Sequence, residues 1–445
     1  MVRLRFAPSP TGHLHIGNAR AALIPWLFAK KNKGDFFLRM DDTDQSRSKE
    51  EYVESITQDI NWLGLSYDKF FKQSDRFSRY TEIMEQLVKD GHLYPCFETN
   101  DELEFKRKQL LSKKLPPIYD RSSLKLTEEE INEKLAKGEK PHWRFKLNNK
   151  QIVWKDLIRG DVSFDGCKLS DPVLIRQDGV FLYTFASVVD DIDTQITHVV
   201  RGEDHVTNTA VQIQLFEAIT QQPCSIQFAH FSLFVGKDGQ ALSKRLGSLG
   251  LKSMRESGIN AMTVNSMLAR LGTSQPVEPF YDLHTLSEQF DFSIFSRNPP
   301  HFDEDQLKIL EKKLINGAPY SFIKDRLPVE IQEQQWDLVK SDLNVLGDID
   351  QWVNIFSDTF TTSITDQADK EFYKQALELL PEEPWNIETW SLWTSLLKKE
   401  TMRMGKQLFM PLRIALTGLS HGPEMKNIIL TLGLDKVKKR LHAVL

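Results

Sequence analysis

The stretch RFAPSPTGHLHIGNAR, residues 5–20, decides how the chain is read. A short β-prone run at 4–7 enters a turn rich in proline and glycine, and the turn leads into an apolar helical stretch over about 17–31. Such a strand–turn–helix unit at the start of a parallel sheet aims unpaired helix-terminal N–H groups at an anionic ligand. Gly12 and Gly17 let backbone and nucleotide approach closely, and His15 offers an imidazole donor to phosphate oxygens. The pattern suits a triphosphate, yet contains neither GxxxxGK[ST] nor GxGxxG. Taken alone, it is a turn with a surface histidine.

Working outward, residues 1–95 alternate β-rich runs with amphipathic stretches, with a strand predicted at 36–40 and helices at about 50–63 and 76–90. This is βαβ rhythm. Between about 100 and 145 the composition turns to Lys, Glu and Leu, and strand candidates follow near 143–147, 151–157 and 161–164. Strand signals return at 181–187 and 196–201 with a helix at about 209–219, as if the first sheet were resumed after an insertion. Beyond 250 strands nearly vanish, and helices are predicted at 303–314, 332–342 and 392–405. The fold class is therefore α/β with a discontinuous first domain, followed by an all-α half. The basic clusters Lys398, Lys399, Arg403, Lys406 and Lys436, Lys438, Lys439, Arg440 each read singly as solvated helix faces.

The chain has 445 residues, 40% hydrophobic and 27% charged, which suggests roughly three folded domains at about 150 residues each. The longest apolar run, residues 21–29, contains Pro25 and is too short for a membrane helix of about 20 residues. The N-terminus has no apolar segment after Arg3 and Arg5, so a cytoplasmic location is expected. Only three cysteines occur, Cys96, Cys167 and Cys224, too widely spaced for a CxxC knuckle. His92 lies one helical turn before Cys96, but no further ligands follow nearby, so no zinc is expected. With a net charge of −5, any nucleic-acid binding must use local patches.

A second candidate site is GKDGQALSKR, residues 236–245, a glycine-bearing loop that presents Lys244 and Arg245 beside Ser243. A flexible lysine there suits a leaving pyrophosphate. In conjunction, the two motifs and the insertion between them resemble the class I aminoacyl-tRNA synthetases, and within them the bacterial glutamyl-tRNA synthetases. His15-Ile16-Gly17-Asn18 resembles the family's HIGH element and ALSKR, residues 241–245, its KMSKS loop. FFLRMDDTD (36–44), YTFASVVDD (183–191), THVVRGEDH (197–205) and MPLRIALTGLSHGP (410–423) are similar to further blocks of this branch, so the resemblance covers nearly the whole chain.

The resemblance implies a Rossmann-like catalytic domain over 1–97 and 183–235, an acceptor-stem-binding α/β insertion over 98–182, a KMSKS-loop and stem-contact domain over 236–315, and a helical anticodon-binding domain over 316–445. It implies activation of L-glutamate by ATP with Mg2+, then transfer to the 2′-hydroxyl of the terminal adenosine of tRNA(Glu). His15 and Lys244 match the catalytic positions. Gly12, His15, Gly17, Asn18, Asp204, His205, Lys244 and Arg245 match ATP-binding positions. Arg5 and Arg201 match the side-chain-carboxylate readers, with Tyr183 in the same pocket, and Ala7, Ser9, Asp41 and Ser187 complete the glutamate set. Taken singly, Arg5 reads as a surface charge, Tyr183 as a half-buried strand aromatic, and Arg201 as a partner of Asp190, Asp191 or Glu203.

Three departures stand out. Ala241 replaces a common lysine, Asn18 replaces the second histidine of HIGH, and Asp41 stands where many relatives carry Glu, about 1.5 Å shorter. The same chemistry on tRNA(Gln) is the alternative, and a non-catalytic RNA-binding paralogue ranks below both. A monomer without membrane contact is expected.

Overall fold

The computed structural model describes all residues except 237, 238, 240–249 and 363–368, so Ala241, Lys244 and Arg245 lie outside the described residues. The chain forms two compact units, Met1–Glu304 and Asp305–Leu445.

In the first unit β1 (Arg3–Phe6), β2 (Asp35–Met40) and β3 (Lys69–Lys72) form a parallel sheet in that order. Parallel neighbours need crossovers, supplied by α1 (Ile16–Lys31) and α2 (Glu50–Trp62). After α3 (Phe77–Lys89) come β4 (Leu93–Cys96), α4 (Asn100–Ser112), α5 (Glu128–Ala136), β5 (His142–Phe145), the β6 (Gln151–Asp156)–β7 (Gly160–Asp165) hairpin and β8 (Val173–Ile175). Strands β4, β5 and β8 make a separate antiparallel sheet. The chain then runs through α6 (Tyr183–Asp193), β9 (His198–Gly202), α7 (Val206–Thr220) and β10 (Gln227–Phe231).

A second sheet has the order β7-β6-β10-β9, in which β10 pairs parallel to both β9 and β6. Two strands from the block expected as an insertion thus extend the sheet that carries β9. The first sheet and this mixed second one are joined by hydrogen bonds at Thr197: Thr197 Oγ1 accepts the Arg3 N–H at 2.9 Å, and the Thr197 N–H donates to the Arg3 carbonyl at 3.0 Å. From β1 the chain winds one way to β2, and the strands beyond β9 lie on the other side. That reversal sets the carboxyl ends of β1 and β9 beside one another, the position at which doubly wound sheets bind ligands.

One sequence expectation is corrected. Residues 183–187 lie in a helix, not a strand. The aromatic run Phe181, Tyr183 and Phe185 with Thr184 favours a strand, but Phe185, Val188, Val189 and Ile192 recur at i, i+3, i+4 and i+7, and this period packs them into the core shared with α3 and α7. The helical period wins because burial outweighs propensity.

The described residues of the second unit contain helices and no strands, among them Glu333–Val339, Lys370–Glu378, Thr389–Thr401 and Met425–Ala443. Trp336 and Trp393 are wholly buried there, and each indole N–H donates to a carbonyl, of Ala318 and Ala376 respectively, at 2.9 Å. No helix among the described residues is long and apolar enough to cross a membrane.

Trp393→Ala should destabilise the second unit by about 3–5 kcal/mol, through lost burial and an orphaned carbonyl. Denaturant unfolding of the full chain, followed by tryptophan fluorescence, reads this as a lower midpoint. An unchanged midpoint contradicts the assigned core.

Candidate active site

Four basic side chains stand near the carboxyl ends of the parallel strands: Arg5 on β1, Arg39 on β2, Arg201 on β9 and His230 on β10. The three arginines are almost wholly buried, at 6%, 1% and 6% exposure. A buried charge must be paired or hydrogen-bonded, and two of the three are paired. Arg5 reaches Asp191 through Nε and NH2 at 3.0 and 3.1 Å. Arg39 reaches the same Asp191 through NH1 at 2.9 Å and Asp41 through Nε at 2.6 Å. Burial alone would push the Asp191 carboxyl up, but Arg5 and Arg39 outweigh it and hold it below the usual range. Burial pushes Asp41 up to about 6 against the pull of Arg39. Next to them Asp190 accepts from Gln73, Arg76 and Tyr80, which ties α6 to α3.

Arg201 differs. Its NH1 donates to the Tyr183 hydroxyl at 2.9 Å, and its NH2 donates to Thr209 Oγ1 and Gln212 Oε1, both at 2.6 Å. Among the described residues no carboxylate is in ion-pair contact with it, so Asp190, Asp191 and Glu203 are not its partners. Burial accordingly pulls its pKa down. A buried cation without a counter-ion is an anion site in waiting. Both NH2 hydrogens are committed, so the guanidinium does not present a free two-pronged fork. One NH1 hydrogen and the Tyr183 O–H are left to face a ligand.

The turn after β1 places the other predicted residues. His15 caps α1: its Nδ1 accepts the Gly17 N–H at 3.0 Å, while its own N–H donates to Asn18 Oδ1 at 3.0 Å. That bond assigns the ring proton to Nε2, and burial lowers the pKa, so the ring is a neutral donor at pH 7. The Gly17 N–H, which the sequence reading offered to phosphate, is spent inside the motif. Around Gly12 the space is open. Ser9 is exposed and Ala7 partly so, and Ser187 is buried with its hydroxyl accepting from Gln212. Asp204 is exposed, and the His205 ring lies 5.6 Å from that of Tyr183. Gly250 bridges His15, and the Leu251 N–H donates to the Leu14 carbonyl at 3.0 Å, so the chain leaving residues 240–249 returns to the His15 turn.

Residues 1–309 match the family described as tRNA synthetases class I (E and Q), catalytic domain, and residues 310–445 match an anticodon binding domain. The chain belongs to the class I tRNA synthetases of the E and Q branch. It is 46% identical over 445 residues to glutamate–tRNA ligase 1 of Maricaulis maris, covering 99% of each chain. To glutamate–tRNA ligase 1 of Rickettsia bellii it is 46% identical, covering 98% of each. Among solved structures, a glutamate tRNA ligase from Elizabethkingia meningosepticum, crystallised with its amino acid, superposes with a TM-score of 0.82 at 26% identity, covering 99% of this chain and 98% of that one.

For a synthetase of this class, several site residues went unnoticed in the sequence. Arg39 had a visible signal, a charge inside the apolar run FFLRM. Thr209, Gln212, His230 and Asp156 had none, because the packing of α7 brings the first two to Arg201 and the sheet register brings the other two. A further grouping was equally hidden: Cys96, Glu98 and His142 bring potential metal-ligand atoms within 4.8 Å of one another across 46 residues of chain. Glu98 there is already engaged by Tyr119, Ser122 and Ser123, whose hydrogen bonds overcome burial and hold its carboxyl down at about 2. With three donors, the group is one ligand short of a closed zinc site.

A Cβ on Gly17 would sit 2.9 Å from His15 Cε1. Gly17→Ala should therefore displace the imidazole and lower adenylate formation by about 10²-fold. The thermal midpoint should hold or rise, because alanine favours the helix. ATP–pyrophosphate exchange with a melting curve checks both, and retained exchange removes His15 from the reaction.

Proposed function

We infer that this chain is a glutamate–tRNA ligase, which activates L-glutamate with ATP and transfers it to the terminal adenosine of tRNA(Glu), releasing AMP and pyrophosphate. The observation that carries the choice of amino acid is Arg201, a buried guanidinium with hydrogen-bonding capacity left over and no acidic partner among the described residues. Glutamate's side-chain carboxylate supplies the missing charge, whereas glutamine's amide does not. Arg5, whose NH1 makes no bond within the described residues, reads the same substrate from β1. Asp41 and Ser9 lie on the α-amino side, where an anion offsets an ammonium.

The reaction joins a carboxylate to the α-phosphorus of Mg-ATP. The enzyme therefore has to align two anions and stabilise charge as pyrophosphate leaves, and needs no nucleophile of its own. His15 Nε2–H is a fixed neutral donor beside the open turn at Gly12. Lys244, by its match to the family's KMSKS loop, is assigned the positive charge that meets the departing phosphates. The adenylate's acyl carbon then passes to the 2′-hydroxyl. We assign the nucleotide side to Asn18, Asp204, His205 and Arg245 as well. Acceptance of tRNA(Gln) is the second reading, favoured by the shorter carboxylate at Asp41 and the neutral Ala241. The location proposed is the cytoplasm, with the chain acting as a monomer.

Arg201→Leu should lower kcat/KM for glutamate by roughly 10² or more, because the ligand carboxylate is left buried and unpaired. Glutamine activation, measured alongside, should lose far less, and a parallel loss for both removes Arg201 from specificity. Asp41 carries its proton in the folded protein below about pH 6. Lowering the pH from 7 to 5 should therefore raise KM for glutamate, and Asp41→Asn should flatten that limb at a high KM. A limb that persists in the variant belongs to another group. Charging assays with purified tRNA(Glu) and tRNA(Gln) in parallel decide which tRNA is used.

A further inference from the structure

Arg201 is held by more than its immediate neighbours. On the adjacent strand, His230 is its register partner, and the His230 ring is wholly buried. His230 Nδ1 lies 2.6 Å from Asp156 Oδ2, and Nε2 lies 3.0 Å from Thr209 Oγ1 and 3.4 Å from Arg201 Nε. Thr209 Oγ1 in turn accepts from Arg201 NH2 at 2.6 Å. The donors fix the direction of the chain. A carboxylate accepts the Nδ1 proton, so Nε2 is a bare acceptor. The Thr209 hydroxyl donates to it and thereby offers its own lone pair to the guanidinium. Burial keeps the ring neutral at pH 7 although Asp156 favours its charged form.

Asp156 is itself tightly held. Its Oδ1 accepts the backbone N–H groups of Ile158, Arg159 and His230 at 3.0, 2.9 and 3.2 Å, and the residue is 2% exposed. It ends β6, the strand that the block between the two halves of the catalytic fold adds to β10. We propose that Asp156 and His230 are positioning residues for the amino-acid pocket: through Thr209 they aim Arg201 and act as its remote counter-charge, leaving its NH1 edge free for a substrate carboxylate. A carboxylate in direct contact would neutralise Arg201 and compete with the substrate. One placed three hydrogen bonds away, through His230 and Thr209, stabilises the cation while keeping its outer edge vacant. The proposal rests on Arg201 reading glutamate, and it adds that a residue from the intervening block sets that specificity.

The test compares full-length His230→Asn, His230→Gln, Thr209→Val and Arg201→Lys with the wild type in ATP–pyrophosphate exchange with tRNA(Glu) present, titrating glutamate and ATP separately. Asparagine keeps a polar atom near the Nδ1 position facing Asp156 but has nothing near Nε2, whereas glutamine can place an acceptor near Nε2. The expected result is a glutamate KM raised about 10-fold in His230→Asn and in Thr209→Val, recovery to within about 3-fold of wild type in His230→Gln, and an ATP KM that hardly moves in any of them. If asparagine serves as well as glutamine, or if the KM values for ATP and glutamate rise together, His230 only braces the sheet and the proposal falls. Thr209→Val is close to isosteric and decides the matter should the His230 variants fail to fold: an unchanged glutamate KM there also overturns it. Arg201→Lys separates the two layers. A raised glutamate KM in that variant with unaffected His230 and Thr209 variants discards the relay and keeps the Arg201 reading, while no change in Arg201→Lys discards both.

Discussion

The carboxylate of Asp191, shared between Arg5 and Arg39, is the contact on which the rest of the catalytic unit depends. It joins β1, β2 and α6, three elements far apart in the chain, at the point where the two sheets meet. Bringing such charges out of water costs several kcal/mol per ion, which only near-ideal geometry offsets. The network is therefore weak evidence for stability and strong evidence for positioning. Its arginines are fixed before any substrate arrives, and a fixed donor loses little freedom when a ligand binds.

The position of the candidate site follows from topology and its chemistry from the strands around it. A parallel sheet aligns strand carboxyl ends on one edge, and the joint at Thr197 places β1 beside β9 without merging their ladders. Arg5 and Arg201 consequently approach the same space from the two sides of the reversal. On the β1 side the cations already have partners, and on the β9 side the cation has neutral ones. This asymmetry gives the pocket its capacity for a second anion.

Much of this was legible in the sequence, and the reasons differ by element. The His15 turn, α1 and β2 could be read because the local pattern and the tertiary demand agree there. The start of helix α6 was misread because aromatic residues and Thr184 raise the strand signal over residues 181–187, and only the packing period that continues to Ile192 gives the correct answer. Arg5 and Arg201 were placed by resemblance. Their partners were not, since sequence reading assigned carboxylates to Arg201 and solvent to Arg5, whereas the fold buries both and gives Asp191 to Arg5 and Arg39 and not to Arg201. Thr209, Gln212, His230 and Asp156 are ordinary residues by any local measure, and only helix packing at α7 together with the register of β6 and β10 makes them neighbours.

The shared Asp191 also constrains how such a pocket can evolve. Arg5, Arg39 and Asp191 form one electrostatic unit, and replacing Asp191 strands the buried charge of Arg5, a cost of several kcal/mol against a total folding stability of only about 5–15 kcal/mol. A single-step route to a neutral substrate through Asp191 is thus costly to the fold. Arg201, whose contacts are all neutral, leaves no orphaned charge behind when exchanged. Drift in amino-acid preference should enter through β9 and leave the β1–β2 side unchanged, which makes the lineage of the pocket directional rather than free.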